Sequence, residues 1–358
     1  MIILAAAFFL LSFIYVIFSS LIHYTLLNAP SGKEKQSSQD TLQISVIIAA
    51  KNEEANIPRL ISSLKKLNYP ENKFEVIIVD DNSTDSTRDI ISESGFKLVR
   101  AENKNLPAKK GALELGIKKA SFDFILITDA DCVVPADWLT IASDYFSSGT
   151  DFVFGAAPYF KGNTLAAKVA SFENLRIHML MFAAAFLGKP YSAAGRNFGF
   201  KKESFEKLNG YNNTTETLSG DDDLLLREAV KRKMKIKPIL RNNFFVFSDA
   251  PEDFKTYFKQ KARHVKTSRY YSKGAQATLA IWHSINILIT FSVFLIPFAP
   301  LLFFPFFIKF TADTAYAVVH QKKFGFKFGF GIPLYQFMYE LFLVVHFVNS
   351  LFREDNWR

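Results

Sequence analysis

A chain of 358 residues is long enough for one large domain with added membrane segments, and its make-up, 49% hydrophobic with 39 Phe yet 22% charged, joins a charge-bearing part to very apolar pieces. The formal charge of +9 suits anionic lipid or a phosphorylated substrate; it argues little for nucleic acid, because no Lys/Arg block interleaves with aromatic residues. The single cysteine, Cys132, excludes an intrachain disulfide and any multi-cysteine metal centre.

Residues 1–28 read as an N-terminal transmembrane helix. The run 2–27 is almost wholly apolar, and a bilayer core of roughly 30 Å needs about 20 such residues. A cleaved signal peptide is the competing reading, but no basic stretch precedes the run and the run is long for one. Lys33 and Lys35 follow directly, so the positive-inside rule puts this end, and the domain after it, in the cytoplasm of a multi-pass cell-membrane protein. Residues 29–41, rich in Ser, Gln and Lys, read as a polar linker.

Residues 41–250 change to short β-rich runs alternating with helical ones. Ile44–Ala49, Phe74–Val79, Lys97–Arg100 and Phe124–Thr128 are the expected strands. Ile57, Leu60, Ile61 and Leu64 recur at helical spacing, with Pro58 suited to a first turn, and 109–120 reads as a second helix. Such alternation predicts an α/β domain with a mostly parallel sheet, whose ligands bind at the carboxyl ends of the strands. Polar clusters stand at those ends: Asn52-Glu53, Asp80-Asp81, and Asp129 with Asp131. Residues 251–275 are expected to form an interfacial helix, and 276–352 two or three C-terminal spans, near 277–298, 300–319 and 331–352. Lys309 and Asp313 interrupt the middle one, where a hairpin or interfacial helix would serve equally.

Three clusters carry chemistry. Asp129-Ala130-Asp131 closes an apolar strand, and two carboxylates one residue apart can hold Mg²⁺ or Mn²⁺ against the phosphates of a nucleotide. Asp221-Asp222-Asp223 reads either as a favourable helix start or as the source of a general base, strengthened by like-charge neighbours. Gln260-Lys261-Ala262-Arg263-His264 alone reads as a basic amphipathic helix. Arg263 could there face a diphosphate leaving group, while Lys261, Lys266, Arg269 and Lys273 would meet anionic headgroups.

In order and spacing, Val46 through Glu54, Val79 through Asp85, Lys109-Lys110-Gly111, Thr128 through Asp131, Gly220-Asp221-Asp222 and Gln260 through Arg263 resemble the motifs of a membrane-embedded glycosyltransferase family 2 member. The resemblance runs from about Thr41 to Val265. It implies a GT-A fold, a Rossmann-like α/β domain flanked by transmembrane helices. It also implies that Ala49, Glu53 and Asp81 line a nucleobase and ribose pocket with Asp80 beside them. Lys109 would approach the nucleotide, Asp129 would contact it, and Asp131 would be the main metal ligand. The base is Asp222 if Gly220-Asp221-Asp222 matches Gly-Glu-Asp, and Asp221 if Asp223-Leu224 is matched instead. Gln260 and Arg263 would meet the donor diphosphate; His264 stands where the family has Trp, which reduces the stacking surface for a long polymer. Ser192 through Phe200 resembles the family's small-residue acceptor-side strand.

The expected activity is inverting transfer of a sugar from a nucleoside-diphosphate donor, a UDP-sugar first among them, to a lipid-linked or glycan acceptor at the bilayer. That chemistry belongs to polysaccharide or glycolipid synthesis. A processive polysaccharide synthase would share the donor site but typically needs more helices. A nucleotidyltransferase would release pyrophosphate instead, and a non-catalytic membrane protein would leave this set of acids without a purpose.

Overall fold

The computed structural model describes residues 2–30, 41–102 and 104–352. The linker expected over 29–41 falls largely outside them, as do Lys33 and Lys35. The chain divides into two compact units, one of Met1–Ala29, Lys161–Lys189 and Ala250–Arg353, the other of Pro30–Phe160 and Pro190–Asp249. In chain order the elements begin with α1 (Ile2–Leu27), β1 (Ile44–Ala50), α2 (Ile57–Leu64), β2 (Phe74–Asp80), α3 (Thr87–Glu93), β3 (Lys97–Arg100) and α4 (Ala108–Lys118). Then come β4 (Phe124–Asp129), β5 (Cys132–Val133), α5 (Trp138–Ser147), β6 (Phe152–Gly155), α6 (Leu165–Phe186), β7 (Phe198–Lys201) and α7 (Lys202–Lys207). The chain continues through α8 (Asp223–Lys231), β8 (Ile236–Ile239), β9 (Phe247–Ser248), α9 (Phe254–Ser268), α10 (Lys273–Phe291), α11 (Phe303–His320) and α12 (Ile332–Phe352).

The α/β unit is built on a seven-stranded sheet in the order β3-β2-β1-β4-β7-β6-β8. The first four strands are mutually parallel, β7 runs antiparallel to β4 and β6, and β8 is parallel to β6. Every residue of β1 is buried, as an apolar strand with neighbours on both edges and cover on both faces must be. The expected parallel α/β core is thus present, with each strand end within a residue of its apolar run. The 192–200 segment is different: only its last three residues join β7, and 192–197 is a loop.

Among the described residues, the helical unit contains four helices long and apolar enough to cross a membrane: Ile2–Leu27, Lys273–Leu295, Pro300–His320 and Gly329–Asn349. The middle C-terminal segment is therefore a full helix. Lys309 and Asp313 do not interrupt it, because both are fully buried in a polar network. Lys309 pairs with Glu340 of α12 and lies 3.2 Å from Asp313. Asp313 accepts from Arg176 of α6 at 2.7 Å and from the Tyr15 hydroxyl of α1 at 2.9 Å. Thr290 of α10 and Gln336 of α12 both donate to Glu340. A second cluster fixes the roll of α9: Lys261 lies 3.3 Å from the buried Glu173 of α6, and Tyr257 donates to the same carboxylate. Lys261 therefore does not face headgroups, as its place in a basic helix implied. It is 3% exposed and holds Glu173, and with His346 it keeps that carboxyl ionised down to about 2 against the effect of burial.

Candidate active site

The parallel register aligns the carboxyl ends of three strands. Ala50 of β1 pairs with Asp80 of β2, and Ala49 with Asp129 of β4. Beyond β1 and β2 the chain turns through Asn52 (φ 55°) and Asn82 (φ 58°), left-handed positions that Asn tolerates better than other side chains. The two turns are tied together. Thr84 N–H donates to Asn52 Oδ1 at 2.8 Å, Asn52 N–H to Ser83 Oγ at 3.0 Å, and Glu53 N–H to Thr87 Oγ1 at 2.7 Å. Ala49, Glu53, Asp80 and Asp81 are all buried in this corner. Asp80 Oδ1 caps the turn by accepting from Ser83 N–H at 3.2 Å. Asp81 pairs through Oδ1 with Lys104, while its buried Oδ2 has no hydrogen-bond partner among the described residues. A buried acceptor left open in this way is what a donor N–H or O–H of a ligand would satisfy. Lys104 stands in no motif, and its part in holding Asp81 emerges only from the fold.

The start of α4 connects the strand ends to the acidic loop. The Lys109 ammonium lies 2.7 Å from Asp129 and 2.7 Å from Asp221. Burial works against its charge, but these two carboxylates outweigh burial and hold its pKa well above the ordinary lysine value. Lys110 turns the other way and donates to the carbonyls of Thr214 and Thr217. The backbone is strained at this point, with Ala108 at φ 56°. Gly111 has no room for a side chain: a Cβ there would sit 1.9 Å from the Leu106 carbonyl oxygen. Gly111→Ala must therefore displace the turn that aims both lysines, and we expect at least about a tenfold loss of transfer, since small misplacements have large kinetic effects. Activity of Gly111→Ala within the wild-type range, in a parallel assay, would show that the turn does not set the site.

The three adjacent acids differ in what they hold. Asp223 opens α8, and its Oδ1 accepts from Ser192 Oγ at 2.7 Å and Ala193 N–H at 3.0 Å, anchoring the 192–197 loop. Asp221 is engaged by Lys109. Asp222 accepts from Asp223 N–H at 2.7 Å and adjoins Gly195, where a Cβ would come within 2.8 Å of Asp222 Oδ2 and 3.3 Å of Asp221 Oδ2. Burial first, then the charges of Asp223 and Asp221, push the Asp222 carboxyl well above the usual range, against the pull of Lys109. A carboxylate destabilised in this way is the stronger proton acceptor.

Asp131 sits half-buried past the end of β4, in the turn that β5 and β9 pin by antiparallel pairing. Its backbone carbonyl accepts from Arg59 at 3.1 Å, and Arg59 also pairs with Asp249 at 2.8 Å. Its carboxylate meets, among the described residues, only the weak Cys132 thiol donor, at 3.4 Å. Among the described residues no three His, Cys, Asp or Glu side chains form a ready-made cage. Two carboxylates at one strand end fit a hard cation that takes its remaining oxygens from a substrate phosphate and water. Gln260 and Arg263 lie on α9 of the helical unit, each half-buried, on either side of the inward-facing Lys261.

Residues 45–209 match the family model described as Glycosyl transferase family 2, a stretch that runs from β1 to just past α7. Over 119 residues, 32% of this chain, it is 40% identical to a beta-monoglucosyldiacylglycerol synthase of Synechocystis sp., covering 24% of that protein. Over 131 residues, 35% of this chain, it is 34% identical to a poly-beta-1,6-N-acetyl-D-glucosamine synthase of Staphylococcus epidermidis, covering 31% of that protein. The chain thus spans about a quarter to a third of the length of these relatives. The mannosyltransferase PcManGT of Pyrobaculum calidifontis, solved with GDP-Man and Mn²⁺, superposes with a TM-score of 0.63 over 98% of this chain and 97% of its own; at 18% identity this is a likeness of fold. With motif order, sheet topology and family match in agreement, residues 45–209 form a glycosyl transferase family 2 domain, and the fold around them is of the GT-A kind.

Proposed function

We propose that this enzyme transfers a sugar, with inversion, from a nucleoside-diphosphate donor to a lipid-linked or glycan acceptor at the membrane. The observation that carries the reading is the Lys109 bridge between Asp129 and Asp221, which links the donor-side acid to the acidic loop. Ala49, Glu53, Asp80 and the open Asp81 Oδ2 then serve the nucleoside. Asp129 and Asp131 would hold Mg²⁺ or Mn²⁺, which would neutralise charge on the departing diphosphate. Asp222 accepts the proton of the acceptor hydroxyl as that oxygen attacks the anomeric carbon, and Asp221 and Lys109 fix the loop around it. The family motif that Gln260 and Arg263 of α9 resemble assigns these two residues to the donor diphosphate.

The bilayer reading rests on the four apolar helices and on charge. The 321–328 connection carries Lys322, Lys323 and Lys327, and α10 begins at Lys273, whereas 292–302 carries no charge. By the positive-inside rule, the end of α1, the start of α10 and the 321–328 turn share the cytoplasmic side with the catalytic unit. A lipid acceptor is supported by the name of the Synechocystis relative, a diacylglycerol glycolipid synthase. Polymer synthesis, the activity named for the Staphylococcus relative, would appear instead as a ladder of products by mass spectrometry.

The deciding experiment is a donor screen on membranes with Mn²⁺ or Mg²⁺, reading release of UDP or GDP. Asp131→Asn should remove the Mn²⁺ dependence of nucleotide binding and with it transfer. Wild-type turnover in that variant, or a wild-type chain that releases neither nucleotide from any sugar donor, would overturn the proposal.

A further inference from the structure

The loop 192–197 holds a cation, Arg196, to which the family resemblance above assigns no role. Arg196 is fixed from both sides. Upstream, Asp223 takes the Ser192 hydroxyl and the Ala193 N–H. Downstream, the fully buried Asn197 donates to the Ala156 and Phe244 carbonyls at 3.0 and 2.7 Å and accepts from the Trp138 indole at 2.9 Å. The guanidinium itself lies over the Tyr159 ring, 4.7 Å from its centroid, and donates to the Ala157 carbonyl at 2.6 Å. No carboxylate among the described residues forms an ion pair with it. Burial opposes its charge, yet Tyr159 and Cys132, then Asp131 and Asp129, hold its pKa above the ordinary value. A guanidinium has five donors in a planar fork, so a rigid one with a single hydrogen bond, within the field of the metal-site acids, lacks its natural partner.

We propose that Arg196 is an anion-binding residue of the active site and takes a phosphoryl oxygen of the substrate. The inference rests on the glycosyl-transfer reading above. A diphosphate freed from its sugar carries more negative charge than one divalent cation cancels, so a second fixed cation beside Asp129 and Asp131 stabilises that charge as it develops. Because Gly195 adjoins Asp222, the same fork could instead meet a phosphate on the acceptor. The shared chemistry is a phosphoryl group.

The test uses the full chain in detergent with Mn²⁺, comparing wild type, Arg196→Gln and Arg196→Lys. Calorimetry measures UDP, GDP, uridine, guanosine, and a long-chain alkyl phosphate in mixed micelles. Loss of a charge-assisted hydrogen bond should weaken the diphosphate by about tenfold or more in Arg196→Gln, leave the nucleoside unchanged, and weaken it less in Arg196→Lys. A loss confined to the alkyl phosphate supports the same role with the acceptor as its source. Equal losses for nucleoside and diphosphate would mean that the loop has merely collapsed, and unchanged affinity for every phosphate would remove the role; either overturns the proposal. A wild-type chain that binds neither UDP nor GDP sinks the donor reading instead, and the alkyl phosphate then decides the case of Arg196 by itself.

Discussion

Asp222→Asn should lower kcat by about 10²–10⁴-fold, the range general bases contribute, while leaving nucleotide affinity within about twofold. The amide preserves the local structure, since its oxygen can still accept from Asp223 N–H. What it removes is the ability to take a proton. Asp221→Asn acts differently: it releases Lys109 from one of its two carboxylates, so nucleotide affinity should change along with rate. Unchanged nucleotide affinity in both variants, with the larger rate loss in Asp221→Asn, would exchange the two roles.

The pH dependence follows from the same carboxyl. Asp222 works as a base only when ionised, and burial with its acidic neighbours raises its pKa. The acid limb of kcat/KM should therefore lie above the ordinary carboxylate range, rising with pH, and should vanish from the residual activity of Asp222→Asn. Stability gives an independent reading. A group that binds its proton more tightly in the folded than in the unfolded chain stabilises the fold below its unfolded pKa, and that contribution is lost as pH rises through the folded value. At neutral pH Asp222 is thus a burden on stability, and Asp222→Asn should melt no lower than wild type. A lower melting temperature with a matching loss of activity would identify Asp222 as a structural cap.

Whatever is local in sequence was legible. Continuous apolar runs such as Ile44–Ala49 and Phe124–Thr128 mark buried strands, and acids directly after them mark the strand ends where ligands gather. The choice between Asp221 and Asp222 could not be made by counting residues, because either spacing fits. It turns on which carboxylate Lys109 engages, a contact between residues more than 100 positions apart. Lys104 left no pattern at all, and Lys110 and Arg196 stood inside motif-like stretches that gave no sign of their own roles. Each is a single cation beside a loop, and Arg196 comes into the field of Asp129 and Asp131 only because β7 is inserted next to β4. Lys261 misled for the opposite reason. A helix rich in cations looks solvated all round, and only Glu173, some 90 positions upstream, reveals which face turns inward.

Lys309→Met should destabilise the helical unit by about 3–5 kcal/mol, the usual penalty for stranding a buried charge. The network around it is balanced: Arg176 and Lys309 face Asp313 and Glu340, and all four side chains are at most 9% exposed. Removing the ammonium leaves two carboxylates against one guanidinium, with Tyr15, Thr290 and Gln336 able to donate hydrogen bonds but not charge. The double variant Lys309→Met with Glu340→Leu removes one charge of each sign and keeps the Arg176–Asp313 pair, so it should recover much of the loss. Unfolding of the full chain in detergent, followed by circular dichroism, separates the two. Additive losses in the double variant would mean that volume and packing dominate at this point. Recovery would instead mean that charge balance decides whether α6, α11 and α12 pack together. Such balance gives these residues a structural reason to lie among apolar helices, where an ionisable group otherwise points to transport or proton transfer.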